Sequence, residues 1–354
     1  MRKKRYNVAV VGATGAVGAE MLRVLLERRF PIRRLRLLAS TRSEGRRISF
    51  NGTPQKVEVL ESRSFNGIDV ALFSAGASRS QEFGPAAVRQ GAIVVDNSSA
   101  FRMDPKVPLV VPEVNPQALK THRGLIANPN CSTIIMLVPL APLHRAARIK
   151  RIVVSTYQSV SGAGAKAMAQ LYGETAAVLR QFRVSSSEFR VQAKLKTHNP
   201  KLETVLPEQI AFNVIPQVDI FLDNRSTREE MKMVLETRKI LDEPALVVSA
   251  TCVRVPVFVA HSEAIWIETE RPLTVPRARE LLRGAPGVTL VDDVAMGAYP
   301  LPIDAAGRDE VLVGRVRKDD SVKHGLVLWV SGDNLRKGAA TNAVQIAELV
   351  LRAR

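Results

Sequence analysis

The sequence predicts an α/β protein in two parts, a parallel-sheet domain followed by an α+β domain with a mixed sheet. Three observations carry this reading. A short apolar run, Asn7–Val11, leads directly into a glycine turn, Gly12–Gly18, and then into a helical stretch reaching about Arg28. Strand-like and helical runs alternate as far as residue 96, the pattern of a parallel sheet with right-handed crossovers. Beyond about residue 130 the strand-like runs lengthen and alternate apolar with polar residues, which suits mixed or antiparallel pairing. A length of 354 residues also exceeds what one core usually supports.

In the first part, Val17, Met21, Val24 and Leu25 share one face of the first helix. Strands follow at Leu35–Ala39, Val57–Leu60, Asp69–Ser74 and Ile93–Asp96, with a helix at Ser80–Gln90 stopped by Gly91. An apolar helical run begins at Cys131. The second part has strands at Ile152–Gln158, Leu246–Val255, Ala264–Thr269, Val311–Arg317 and Gly325–Val330, and helices at Gly164–Leu179 and Thr227–Leu241. Arg180–Leu206 lacks periodicity, is rich in basic residues and reads as a surface excursion or flap. Leu335–Leu351 carries Ala340, Ala343, Val344, Ala347 and Val350 on one side. It is expected to return to the first domain as an amphipathic helix, with Asn334 as its N-cap.

Composition removes several classes of function. With 46% hydrophobic and 24% charged residues the chain is neither disordered nor fibrous. Two cysteines, Cys131 and Cys252, exclude a disulfide scaffold and a cysteine-rich metal site and fit a reducing cytosol. No apolar stretch is long enough to span a membrane, and the basic start lacks the apolar core of a signal peptide. The net charge of +17 permits nucleic-acid binding, but aromatics are only 5% and no recognition motif accompanies them. A basic surface suited to anionic metabolites is the expectation, with no nucleic acid, no membrane and no metal.

A glycine turn between a buried strand and a helix lets the backbone approach a pyrophosphate, which the helix N-terminus then meets with free N–H groups. The end of the second strand sharpens the cofactor. Where an NAD site places an acid for the ribose hydroxyl, this chain has Ser40-Thr41-Arg42-Ser43, with Arg46 and Arg47 behind. A guanidinium and hydroxyls suit a 2′-phosphate, so NADP is favoured. Cys131, in Asn128-Pro129-Asn130-Cys131-Ser132-Thr133, opens a helix whose dipole should lower the thiol pKa and favour a nucleophile. A small buried cysteine is the competing reading, and it is kept for Cys252. A thiol beside a nicotinamide suggests thioester-forming aldehyde or acyl chemistry, which calls for a histidine acid–base. The residues alone barely rank His122, His144, His198, His261 and His324, although His261 ends a strand-like run, Arg254–Ala260. Seven residues separate Arg254 from His261, so an ideal strand opposes them unless the chain bends at Pro256 or near Val259.

Taken together, Gly12–Gly18, Asn97–Arg102, Asn128–Thr133, Tyr157–Gly164, Ala211–Gln217, Arg254–Glu263 and Ser331–Lys337 resemble the aspartate-semialdehyde dehydrogenase family nearly end to end. The resemblance implies NADPH-dependent reduction of 4-phospho-L-aspartate to L-aspartate 4-semialdehyde, on the route to lysine, methionine and threonine. It implies Cys131 as nucleophile, His261 as acid–base and Gln158 as the residue orienting the thioacyl group. Arg254 would take the α-carboxylate, Glu229 the α-ammonium, and Lys232 and Arg102 the phosphate, with Asn130 also in the substrate site. The glycine-turn residues Gly12, Thr14, Gly15, Ala16 and Val17 would hold the pyrophosphate. Ser40, Arg42 and Ser43 would hold the 2′-phosphate, and Ser161, Gly162 and Asn334 the nicotinamide end.

By the same resemblance the chain divides into a Rossmann-like NADP-binding domain, residues 1–130 plus 333–354, and a catalytic and dimerisation domain, residues 131–332. A cytoplasmic homodimer or dimer of dimers is expected. The segment 181–206 is longer and more basic than the resemblance suggests. Rival readings are a related acyl-phosphate or acyl-CoA reductase with another substrate, or an inactive paralogue. The retained Glu229 disfavours a malonyl substrate, which has no ammonium, and the set Cys131, Gln158, Arg254 and His261 disfavours inactivity.

Overall fold

The structure, a computed structural model, describes residues 5–181 and 204–352. The segment expected to be a flap falls, at 182–203, outside the described residues. The first sheet holds β1 (Tyr6–Val11), β2 (Ile32–Ala39), β3 (Arg47–Phe50), β4 (Thr53–Val59), β5 (Val70–Phe73), β6 (Ile93–Asp96) and β7 (Leu125–Ala127) in the order β3-β4-β2-β1-β5-β6-β7. All neighbours are parallel except β3 and β4, an antiparallel hairpin with only four residues in its first strand, which sequence reading did not separate. β1 is central, and Val8–Val11 are wholly buried because helices cover both faces. Helix α1 (Ala16–Glu27) packs Met21, Val24 and Leu25 on Val8 and Val10. Helix α2 (Ala77–Arg89), which starts three residues before the expected Ser80, packs Phe83 and Ala87 on Ala9 and Val11 from the other side.

The second sheet begins after α3 (Cys131–Ala147), which is buried almost all round, as an evenly apolar helix must be. Its strands are β8 (Ile149–Gln158), β9 (Val247–Arg254), β10 (His261–Thr269), β11 (Val288–Leu290), β12 (Val311–Asp319) and β13 (Gly325–Gly332), in the order β11-β12-β13-β10-β8-β9. Pairing is mixed, with β8–β9 and β11–β12 parallel and the rest antiparallel, as expected. Between these strands lie α4 (Ala165–Gln181), α5 (Arg228–Leu241), α6 (Val275–Arg283) and the short α7 (Pro302–Ala305). Helices α3, α5 and α6 cover one face through a single core that includes Ile152, Val154, Ile265 and Ile267. On the opposite face Tyr157 and Val247 are exposed, and the Tyr157 ring lies 5.3 Å from that of Trp329.

The chain then returns to the first sheet. A π-helical turn, Arg336–Ala340, leads into α8 (Thr341–Arg352), whose Ala343, Val344, Ala347 and Val350 join the core of β1 and α1. The expected N-cap is corrected here. Asp333 Oδ1, not Asn334, accepts the Leu335 and Arg336 N–H groups at 2.8 and 3.0 Å, because Asn334 is turned toward the second sheet.

Candidate active site

The glycine turn closes β1 in a conformation only glycine allows. Gly12 has φ +84°, and a Cβ there would lie 2.2 Å from the Ser74 carbonyl oxygen. A Cβ on Gly18 would lie 2.1 Å from the Gly12 oxygen, so α1 and the turn touch main chain to main chain. The N-cap of α1 is Gly15, which offers no side-chain oxygen, so the first turn has no side-chain cap. Beside the turn is a cavity of about 500 Å³ lined by Gly12, Thr14, Gly15, Ser40 and Arg42, and also by Arg79 of α2. Its walls include no carboxylate among the described residues. Ser43 is buried with its Oγ 3.2 Å from Thr14 Oγ1, so it braces Thr14 rather than lining the cavity. Ala16 begins α1 without lining either cavity, whereas Val17 lines the second.

That second cavity, about 430 Å³, shares Ser74 with the first, so the two adjoin there. Its floor is the N-terminus of α3. Asn130 caps the helix, its Oδ1 accepting from the Ser132 and Thr133 N–H groups at 3.0 and 3.2 Å. Cys131 follows, half-buried, with Sγ 3.5 Å from His261 Nε2. Gln158 ends β8, Arg254 ends the parallel β9 directly beside it, and His261 starts β10 on the other flank of β8. The run Arg254–Ala260 is therefore not one strand but a connection that passes the end of β8. The bend the sequence required is a change of strand, and it brings Arg254 and His261 to one edge of the sheet. Gly162 makes room for both, since a Cβ there would meet Arg254 Nη1 at 2.9 Å and His261 Nε2 at 3.3 Å.

Helix α5 supplies the acids. It is opened by a capping box between Thr227 and Glu230 and buries Glu229, Met233, Glu236 and Ile240 along one stripe. Glu229 Oε1 accepts from Asn130 Nδ2 at 2.8 Å and Gln158 Nε2 at 3.3 Å, and its Oε2 accepts from Lys232 Nζ at 3.1 Å. Asp219 holds the other side of Lys232 at 2.8 Å. Burial opposes the charge on Lys232, but Glu229 and Asp219 outweigh it and raise its pKa. Arg102 is buried and donates to Glu236 at 3.0 Å and to the Asn128 and Asn97 carbonyls at 2.9 and 2.7 Å. Arg102, Lys232 and Arg254 all line the cavity, as do Ser161, Gly162 and Asn334. Asn334 Oδ1 accepts from the Ala260 N–H at 3.0 Å and from the Ser159 and Ser161 hydroxyls at 3.1 Å.

One expectation is reversed. Burial pushes the Cys131 thiol up to about 12, with the Glu229 carboxylate adding to it; Arg102, Arg254 and the Ser132 N–H only partly draw it back. Placement at a helix N-terminus still draws the pKa down through the Ser132 N–H, but burial and the acidic neighbour outweigh it. The sequence reading also passed over Glu236, Asp219, Ser159 and Arg79. Glu236 had a legible signal, a second glutamate seven residues after Glu229 on the face that carries Met233 and Ile240. It anchors the Asn130 N–H at 2.7 Å together with Arg102.

Comparison with known proteins gives concordant results. Residues 7–122 match the family described as semialdehyde dehydrogenase, NAD binding domain, and residues 140–337 match semialdehyde dehydrogenase, dimerisation domain. The aspartate-semialdehyde dehydrogenase of Aquifex aeolicus is 53% identical over 350 residues, covering 98% of each chain. That of Bacillus subtilis is 51% identical over 343 residues, covering 97% of this chain and 96% of its own. The solved structure of aspartate semialdehyde dehydrogenase II from Vibrio cholerae, complexed with ASA, superimposes with a TM-score of 0.91 at 48% identity and 99% coverage of both chains.

Proposed function

The chain belongs to the aspartate-semialdehyde dehydrogenase family, and we propose that it reduces 4-phospho-L-aspartate to L-aspartate 4-semialdehyde and phosphate with NADPH, through a thioester on Cys131. The observation that carries this reading is the position of Cys131 Sγ, at the head of α3 and 3.5 Å from His261, in a cavity that adjoins the one beside the glycine turn. The pathways served would be those to lysine, methionine and threonine.

The residues present fit NADP. A first turn of α1 without a side-chain cap suits a pyrophosphate, and a cavity with Arg42 and Arg79 but no carboxylate suits a 2′-phosphate. Ser161, Gly162 and Asn334, beside Cys131, would hold the nicotinamide end, and Val17, expected at the pyrophosphate, lines this same cavity instead. When bound, the cofactor supplies the hydride that reduces the acyl carbon.

Arg254 presents its guanidinium to the cleft with one nitrogen tied to the Ser159 carbonyl at 2.8 Å and its buried Nε unpartnered, so it retains donors for a carboxylate. Glu229 faces an ammonium, and Lys232 and Arg102 face the phosphate. Because the Glu229 carboxylate raises the Cys131 pKa, an ammonium that neutralises it lowers the cost of charging the thiol. Substrate binding and nucleophile activation are thereby linked. Gln158, held by Glu229 and Thr156, orients the acyl group over Sγ.

We take residues 1–130 plus 333–354 as the cofactor domain and 131–332 as the catalytic and dimerisation domain, since α8 shares the first core and α3 the second. The uncovered face of the second sheet, around Tyr157 and Val247, suits a homodimer. No helix of the described residues is long and apolar enough to cross a membrane. The test is the reverse reaction. Aspartate semialdehyde, phosphate and NADP should together produce nicotinamide absorbance, and omission of phosphate should stop it.

A further inference from the structure

Lys232 is expected to hold the phosphate, yet its ammonium already has two carboxylate partners. Nζ donates to Asp219 Oδ2 at 2.8 Å and to Glu229 Oε2 at 3.1 Å, and all three residues line the cavity of Cys131. The two acids reach it differently. Glu229 stands one turn before Lys232 on α5 and is buried, with further donors in Asn130 and Gln158. Asp219 comes from the chain that leads into α5, and its side chain stays 27% exposed.

That stretch of chain is shaped to turn Asp219 inward. Val218 belongs to the core under α3 and α5, whereas Ile220 and Phe221 are exposed. Between them Asp219 takes φ +69°, a left-handed backbone to which aspartate and asparagine are the main visitors besides glycine. Its Oδ1 accepts from the Ile220 N–H at 2.9 Å, which fixes the carboxylate and leaves Oδ2 for Lys232. Burial opposes the charge on Asp219, but Lys232, the Ile220 N–H and Arg228 outweigh it and hold the carboxyl below its ordinary pKa. Asp219 is therefore an anion at neutral pH.

Around the expected phosphate position the charges do not balance. Arg102 is matched by Glu236 at 3.0 Å, and the substrate ammonium would match Glu229. Asp219 has Lys232 alone within ion-pair distance, so once Lys232 turns to the phosphate, two anions face each other across one ammonium. Like charges that close repel in a half-buried site. Lys232 does not need Asp219 to stay in place, because Glu229 holds it from the same helix face.

We propose that Asp219 is a counter-ion that phosphate must displace from Lys232, and that it thereby weakens phosphate binding and favours phosphate release. This deepens the reading of the cavity as an aspartyl phosphate site and rests on it. Asp219 acts through Lys232 and is a positioning residue. The ammonium passes from the carboxylate to the phosphate and back, and no covalent bond of the protein changes.

The test is the reverse reaction of the full-length enzyme, with phosphate varied at saturating semialdehyde and NADP. Asp219→Asn removes little but the charge, since asparagine tolerates the left-handed backbone and its Oδ1 still accepts from Ile220. The KM for phosphate should fall by about three- to tenfold, the range of one partly screened charge, while those for semialdehyde and NADP stay within about twofold. Inhibition of the forward reaction by added phosphate should strengthen by the same factor. A merely structural role would raise KM values or leave them alone, so an unchanged or raised phosphate KM overturns the proposal. A raised semialdehyde KM also overturns it and gives Asp219 the substrate ammonium instead. Should the asparagine variant not fold, Asp219→Gly, which also takes the left-handed backbone, decides by the same comparison. A wild-type enzyme with no phosphate-dependent turnover overturns the reading of the cavity itself, and the proposal with it.

Discussion

In the cavity beside the glycine turn the lining is mainly small residues, among them Gly12, Thr14, Gly15 and Ser40, and its two cations, Arg42 and Arg79, are exposed. At the Cys131 end the surface is side chain, and Arg102, Glu229, Arg254 and His261 are all buried. The first end is made by three neighbouring loops that close β1, β2 and β5. The second draws on α3, α5, the ends of β8 and β9, the start of β10 and the turn before α8. The contrast has an energetic meaning. Contacts at an exposed site are nearly independent, so each loss costs about one contact. Buried charges in a shared network depend on one another, and removing one leaves the others uncompensated.

The largest expected effect is at the buried end. Cys131→Ser should lower kcat by about 10⁴-fold or more, as loss of a nucleophile does, while NADPH affinity measured by fluorescence stays unchanged. A parallel loss of cofactor affinity would show that the two ends are not separable. Glu236→Ala removes the acceptor of both Arg102 and the Asn130 N–H, and should cost about 3–5 kcal/mol in urea unfolding, because a buried guanidinium loses its partner.

At the other end, Gly12→Ala combines a left-handed φ with a clash against the Ser74 oxygen. It should cost about 2–4 kcal/mol of stability and weaken NADPH, yet leave acylation of Cys131 by aspartyl phosphate intact in the surviving folded protein. Arg42→Ala should cost about 1.5–3 kcal/mol in NADP binding by calorimetry with NAD binding unaltered, the loss of one charge-assisted contact. If NAD weakens equally, Arg42 does not read the 2′-phosphate.

The smallest effect tests the electrostatics. With the thiol raised to about 12, iodoacetamide should label Cys131 slowly at neutral pH and faster as pH rises, since the thiolate is the reactive form. Glu229→Gln removes a charge that raises this pKa, so the labelling curve should move to lower pH and the rate at neutral pH should rise, by up to about tenfold. A curve that stays in place would mean that burial alone sets the thiol.

Much of this was legible beforehand where the information is local. The strand, glycine turn and helix at 7–28 follow from periodicity and from the steric freedom of glycine, both properties of a short segment. Cys131 at the head of an apolar run is legible in the same way, and the apolar stripe of the last helix correctly places it on the first core. The family resemblance across seven blocks named the remaining site residues, and the structure places Gln158, Arg254, Glu229, Lys232, Asn130 and Arg102 around one cavity.

What the tertiary structure alone decided are the quantities set by distance between remote segments. Arg254 and His261 meet because β9 and β10 flank β8, a topology that no spacing of seven residues reveals. The Cys131 pKa rises rather than falls first because folding buries the thiol, and then because α5, about a hundred residues away, delivers Glu229 into the same pocket. His261 Nδ1 accepts from the N–H of Ser159, a backbone group carried by every residue except proline and therefore invisible as a residue type. Residue identity and period determine elements and candidate nucleophiles, while protonation is settled by the neighbours that folding assembles.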